Sequence, residues 1–213
     1  MKADSIIFDL DGTLWDASRA DFAAWREIAE KKYPEIKAPE MRDLKKMMGF
    51  TEGQIAERFS SRFGVRAKDY IAECIRYEPE FIMKNGADVY LAAAETLEKL
   101  SCEYALFIVS NCQVGYIESF LEISNTATYI TSHICEGITG QAKAYNIRHI
   151  IDRFGLKAPV YVGDTAIDEE AAYETGCRFI HAAYGFGTAR RYDGAIDDIA
   201  ALPEAVAALE MKN

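Results

Sequence analysis

The chain has 213 residues, half of them hydrophobic, and a formal net charge of −10. That length holds one larger domain or a core with a small insert, and the apolar share excludes disorder. The acidic balance argues against nucleic acid or an anionic membrane surface as partner, since both need a basic face. A phosphate substrate stays open where a metal ion and a few local cations reverse the field.

Five cysteines lie at positions 74, 102, 112, 135 and 177, an odd count without Cys-x-x-Cys spacing. This fits reduced thiols and a cytoplasmic location. Ile6 to Phe8 is too short an apolar run for a signal peptide. No apolar stretch approaches the roughly 18 residues of a membrane helix. There is no internal repeat or low-complexity tract.

The first predicted element is a buried strand, Ile6-Ile7-Phe8, which runs into Asp9, Asp11 and a Gly12-Thr13 turn. From Asp16 to Tyr33 the period turns helical, with Phe22, Trp25, Ile28 and Ala29 on one face. A second helix is expected from Pro39-Glu40 to Met48. A third follows Thr51 as cap and ends at Gly64, and a fourth is capped by Asp69. Asn85-Gly86 makes a turn. Residues 16–85 therefore read as helices without a strand, a candidate second domain.

Beyond it, strands and helices alternate. Tyr90–Leu100 reads as a helix, Tyr104–Val109 as a buried strand ending in Ser110-Asn111, Val114–Ile123 as a helix and Ala127–Ser132 as a strand. Lys143–Phe154 reads as a helix, Pro159–Val162 as a strand ending in Gly163-Asp164, and Ala166–Thr175 as a helix closed by Gly176. Arg178–Ala182 reads as a strand and Leu202–Met211 as the last helix. This alternation indicates right-handed crossovers and a parallel sheet.

Three of these strands end in polar residues, and one parallel sheet brings such ends to a single edge, where ligands bind. Asp9 and Asp11 repel unless a cation lies near them. Ser110 and Asn111 offer a hydroxyl, an amide and nearby backbone N–H groups, which suit a phosphoryl oxygen. Lys143 at a helix start can offset carboxylate and phosphate charge. Asp164 and Asp168 add two carboxylates, on one face if the helix begins early, and carboxylate oxygens suit Mg²⁺. Each has a plainer reading: solvated acids, a polar turn, an ordinary surface lysine, a helix-capping Asp164 beside a solvated Asp168.

Together these stretches resemble the four motifs of the haloacid-dehalogenase-like (HAD) superfamily, mostly phosphatases. Residues 9 to 13 match Asp-x-Asp-Gly-Thr at every fixed position. Ser110-Asn111 matches the strand-ending Ser or Thr, often followed by Asn. Lys143 matches the helix-start lysine, although many relatives read Lys-Pro and this chain reads Lys143-Ala144. Gly163-Asp164 through Asp168 matches Gly-Asp-x-x-x-Asp. The motifs stand in family order from residue 9 to 168. The helical block after the first motif, and the Tyr184-Gly185-Phe186-Gly187 loop, resemble the phosphoglycolate-phosphatase-like subgroup.

The resemblance implies an α/β fold: a doubly wound, Rossmann-like parallel-sheet core of residues 1–15 and 87–213 with an inserted all-helical cap of residues 16–86. It implies Mg²⁺-dependent hydrolysis of a small phosphorylated metabolite. Asp9 would be the nucleophile and Asp11 the acid and base. Ser110, Asn111 and Lys143 would hold the phosphoryl group. The ion would be held by Asp9, the Asp11 carbonyl and Asp164, with Asp168 in support. Three rivals share parts of this pattern. They are a β-phosphoglucomutase-like phosphotransferase, a dehalogenase (which needs no acid such as Asp11), and a non-catalytic phosphate- or partner-binding relic. The leaving group and the oligomeric state are not readable. Trp15 reads equally as a pocket or packing residue, whereas Met47, Met48 and Phe50 read first as packing of the cap and second as substrate contacts. Cys112 has no histidine near it in sequence, and His133, His149 and His181 follow no ligand spacing.

Overall fold

The computed structural model describes residues 2–211. The chain runs from β1 (Ser5–Phe8) through a short strand β2 (Trp15–Asp16) into α1 (Ser18–Lys32), α2 (Met41–Lys45), α3 (Glu52–Phe63) and α4 (Ala67–Asn85). It returns through β3 (Asp88–Val89) to α5 (Ala93–Ser101), β4 (Ala105–Ser110), α6 (Tyr116–Ser124) and β5 (Ser132–Cys135). The short α7 (Glu136–Thr139), α8 (Lys143–Phe154), β6 (Pro159–Gly163), α9 (Ala166–Thr175), β7 (Arg178–Ala182), β8 (Gly194–Ile196) and α10 (Leu202–Met211) complete it.

The main sheet is parallel throughout, in the order β5-β4-β1-β6-β7-β8. Successive side chains of a strand point to opposite faces. Ile6, Phe8, Leu106, Ile108, Val160 and Val162 pack on one face with Leu97 of α5, Phe120 of α6 and Val206 of α10. Ile7, Phe107, Val109 and Tyr161 pack on the other with Ile147 and Ile150 of α8 and Ala172 of α9. Burial on both faces explains why these strands read as unbroken apolar runs. The fold is thus the doubly wound α/β expected. Its winding reverses at β1: β4 and β5 are added on one side, β6 to β8 on the other. Ligands bind at such a switch point, beyond the carboxyl ends of the strands.

The four helices α1–α4 have a separate core. Trp25, Phe63 and Tyr70 are buried together, with Trp25 and Tyr70 in edge contact at 5.6 Å and the Tyr70 hydroxyl donating to the Trp25 carbonyl. The chain enters and leaves this block through a two-stranded antiparallel ribbon, with Trp15 opposite Val89.

Several expectations shift. The strand expected at 127–132 is a 3₁₀ turn, Ala127–Tyr129, and pairing begins only at Ser132. This is an edge strand, and its register is set by β4 rather than by its own pattern. The second helix stops at Lys45, because tight turns from Leu44 to Met47 and from Met47 to Phe50 carry the chain past Gly49. The fourth helix starts before Asp69, which lies in its first turn. The helix expected from Tyr90 begins at Ala93, since the Tyr90 N–H donates to the Leu14 carbonyl. The ribbon and β8 carry too few residues for a sequence period to show.

Trp25 tests the helical core, since it is buried against two rings and donates to Glu78 as well. Trp25→Ala should lower unfolding free energy by about 3–5 kcal/mol, read from urea titrations followed by circular dichroism. A loss below about 1 kcal/mol would mean that α1 does not anchor this layer.

Candidate functional site

Asp9 follows β1 directly, and its N–H donates to the Val162 carbonyl at 2.8 Å, which fixes it between β4 and β6. At Gly12 the backbone takes a φ of +77°, and a Cβ there would lie 2.3 Å from Asp164 Oδ2. A glycine is required for both reasons. Gly185 is equally constrained, since its Cβ would come within 2.5 Å of the same oxygen. The turn after β1 and the loop after β7 therefore close on Asp164. Phe186 and Gly187 donate their N–H groups to its Oδ2 at 2.6 and 3.2 Å.

Lys143 opens α8 as expected, and its ammonium is buried between Asp9 and Asp168, 2.7 Å from an oxygen of each. Asp168 is fully engaged. Its Oδ1 also accepts from the Tyr161 hydroxyl, and its Oδ2 caps α9 through Thr165. The helix does not begin early. Asp164 precedes it, and the two acids converge because Asp168 folds back as the partner of the Thr165 cap. Thr165, not Asp164, is the capping residue, and Asp168, its partner three residues on, is buried rather than solvated.

One ammonium thus faces three buried carboxyl groups. Burial, and then the charge of Asp168, push the Asp9 carboxyl well above its ordinary range against the pull of Lys143. Burial and Asp168 raise Asp164 to about 7. Burial alone disfavours the Lys143 charge, but Asp168 and Asp9 outweigh it and hold its pKa above the usual value. Asp9, Asp164 and Asp168 each offer an oxygen within 4.8 Å of the others. Asp9 Oδ2 and Asp164 Oδ1 are buried without a hydrogen-bond partner. Unmet buried acceptors in an all-oxygen set are the donor chemistry of a hard divalent cation.

Asp11 stands apart from that cluster. Its Oδ1 accepts from Trp15 Nε1 at 2.8 Å and lies 3.1 Å from the Tyr116 hydroxyl. Burial raises it to about 6, with those two contacts opposing the shift. A carboxyl poised near neutrality can give and take a proton. Trp15 is therefore packed in the core and also orients Asp11.

Ser110 and Asn111 lie at the end of β4 and line a cavity of about 100 Å³ between the sheet edge and the helical block. Met47, Met48 and Phe50 line it from above. The Asn111 amide donates to the Gly49 carbonyl at 2.9 Å, and Gln113 donates to Ile75 and Glu78, so the helical block sits closed on the sheet edge. Cys112 also lines the cavity, but burial and the adjacent Cys135 thiol push its own thiol up, the wrong direction for a nucleophile. His181 Nε2 lies 3.1 Å from the Asp164 carbonyl oxygen, while His133 and His149 do not line the cavity.

Sequence reasoning missed three groups here. Tyr116 Oη lies 2.8 Å from Asp21 Oδ2 as well as near Asp11, and its single proton serves one of them at a time. Glu78 accepts from Trp25 Nε1 at 2.5 Å and from Gln113 Nε2 at 2.7 Å. A signal was present. Glu78 falls in phase with Ile71, Ile75 and Ile82 on the apolar stripe of α4, and Asp21 falls in phase with Trp25 and Ile28 on α1. A carboxylate on a buried helical stripe calls for a partner or a purpose.

A family model described as haloacid dehalogenase-like hydrolase matches residues 6–182. A curated phosphoglycolate phosphatase from Aliivibrio fischeri is 28% identical, with 85% of this chain and 84% of that one covered. Among solved structures, a haloacid dehalogenase-like family hydrolase from Streptococcus pneumoniae matches at TM-score 0.78 with 22% identity, covering 95% of this chain and 97% of that one. A crystal structure described as a predicted phosphoglycolate phosphatase from Haemophilus somnus matches at TM-score 0.84 with 19% identity, covering 96% and 98%. At such identities these structures speak for the fold.

Burial raises Glu78 from its ordinary 4.5 to about 8, so the folded chain holds a proton that the unfolded chain releases in between. Its contribution to stability is full below pH 4.5 and is lost as pH rises to about 8. The slope reaches about 1.4 kcal/mol per pH unit for such a group. Glu78→Gln keeps an acceptor for Trp25 and removes the titration. In urea titrations at pH 5 and pH 8 the variant should gain on the wild type with rising pH. A constant difference would show that Glu78 is ionised in the folded chain.

Proposed function

Since the chain belongs to the haloacid dehalogenase-like hydrolase family, we propose that it is a Mg²⁺-dependent phosphatase acting on a small phosphate monoester through an aspartyl-phosphate. The observation that carries this reading is the buried cluster of Asp9, Asp164 and Asp168 around Lys143, with Asp11 poised beside it at about 6. The curated relative's name supports phosphate-ester chemistry.

Asp9 attacks phosphorus through a carboxylate oxygen while the bond to the leaving oxygen breaks. Asp11 gives its proton to that oxygen, and an alcohol departs. Asp11 then takes a proton from water, whose oxygen attacks phosphorus and breaks the bond to Asp9, releasing phosphate. Ser110 and Asn111 hold phosphoryl oxygens from the β4 side. Lys143 orients Asp9 and adds positive charge beneath the transferring group. The Asp9 and Asp164 carboxylates and the Asp11 carbonyl would hold the metal, with Asp168 in support through Lys143. When bound, Mg²⁺ supplies positive charge that lets an anionic nucleophile meet an anionic phosphate.

Residues 1–15 and 87–213 act in this reading as the catalytic core, and residues 16–86 as a cap that admits substrate and then excludes water. The β2–β3 ribbon is where such a cap would hinge. Among the described residues no helix is long and apolar enough to cross a membrane. Free thiols at all five cysteines agree with a cytoplasmic setting.

Phosphate release from a panel of small phosphate monoesters should require Mg²⁺ and stop in EDTA. Asp9→Asn should lower it by roughly three orders of magnitude or more with circular dichroism unchanged. Asp11→Asn should lower it by about 10²–10⁴-fold. Phosphate release that survives in Asp9→Asn would overturn the covalent mechanism. Phosphate exchange between sugar positions that depends on a bisphosphate, with little free phosphate, would mark a mutase instead.

A further inference from the structure

Above Asp9 and Asp11 the cavity wall is acidic. Asp21 and Glu78 line it, both buried, with Glu52 and Glu136 farther round. Among the described residues that line it, none is a lysine, arginine or histidine. Besides Asp9 Oδ2, two of the cavity's polar atoms lack partners. They are Asp21 Oδ1 and Asn111 Oδ1, on side chains only 3% and 6% exposed. Both are acceptors, and buried acceptors in a closed structure demand a donor. The Asn111 amide and the Glu78 carboxylate are already held by Gly49, Trp25 and Gln113, so the wall is built rather than loose.

We propose that the leaving group of the substrate carries a protonated amine, held by Asp21 and Glu78 with Asn111 Oδ1 as a further acceptor. This rests on the phosphatase reading and names the class of ester it takes. A hydroxyl would bring one proton to the unmet acceptors, whereas an ammonium brings three donors together with the positive charge that the ionised forms of Asp21 and Glu78 need. A carboxylate, such as that of phosphoglycolate, would bring a negative charge and no donor to a wall that has unmet acceptors and no lining cation among the described residues. Burial raises both carboxyl groups in the free protein, with Glu78 adding to the shift at Asp21, and a bound ammonium opposes that by stabilising their ionised forms. A cavity of about 100 Å³ holds several waters' worth of guest, which suits a small amino alcohol.

The test compares three esters that share a two-carbon leaving group: phosphoethanolamine, 2-hydroxyethyl phosphate and phosphoglycolate. Glucosamine 6-phosphate against glucose 6-phosphate repeats the comparison at larger size, and p-nitrophenyl phosphate serves as a generic phosphatase substrate. Phosphate release is measured with Mg²⁺. In at least one series kcat/KM for the amine should exceed that for its hydroxyl counterpart by tenfold or more, with phosphoglycolate the poorest two-carbon ester. Asp21→Asn and Glu78→Gln should each cut the amine-to-hydroxyl ratio by about tenfold, mainly through KM for the amine, with thermal unfolding confirming that both fold. Turnover of p-nitrophenyl phosphate with phosphoglycolate as the best two-carbon ester, or with no preference for the amine in either series, overturns the inference and leaves the phosphatase reading standing. So does a preference that neither substitution moves. No phosphate from any ester overturns the phosphatase reading, and the inference with it.

Discussion

The buried Lys143 ammonium lies 2.7 Å from an oxygen of both Asp9 and Asp168, and much of the surrounding structure serves to make that contact tolerable. Three carboxyl groups and one ammonium in a buried site cannot all keep their solution protonation states, since each desolvated charge needs compensation. The fold supplies part of it. Tyr161 and the cap of α9 serve Asp168, and the backbone N–H groups of the loop after β7 serve Asp164. What is left over, at Asp9 and Asp164, is the unmet acceptor capacity on which the proposed metal site rests.

A parallel sheet suits this task because it gathers chain-distant residues without long loops. β1, β4 and β6 are neighbours, so Asp9, Ser110 and Asp164 reach one edge although they come from three separate stretches. Close approach then becomes the limiting factor. Gly12 and Gly185 are present because a side-chain carbon at either would occupy the space of Asp164. Close backbone approach and charge crowding are concentrated at one edge while the hydrophobic faces remain ordinary.

The helical block contributes a second acidic set with a different character. Asp21 and Glu78 sit on helices whose neighbouring residues build a conventional aromatic core, and Tyr116 connects Asp21 to Asp11 across the boundary. In the proposed reaction, the chemistry at the sheet edge and the recognition above it are joined by one hydroxyl. In that reading the wall facing the leaving group is set largely by helices inserted between strands rather than by the strands themselves, which would separate the reaction from its specificity.

Much of this was legible in the amino-acid sequence, for a local reason. β1, β4 and β6 are short apolar runs ended by polar residues, and α8 and α9 begin and end where their lysine, cap and glycine signals lie. Such signals depend on neighbours within a few residues, as do the motif spacings that placed Asp9, Asp11, Ser110, Asn111, Lys143, Asp164 and Asp168 at one edge. Only the tertiary structure decided the rest. The register of β5 depends on its partner strand. The pairing of Asp168 with Lys143 depends on how two helices pack. The pocket set by Asp21, Glu78, Gln113 and Tyr116 depends on how the helical block seats on the sheet. Those contacts join residues far apart in the chain, and no local pattern encodes the distance between them.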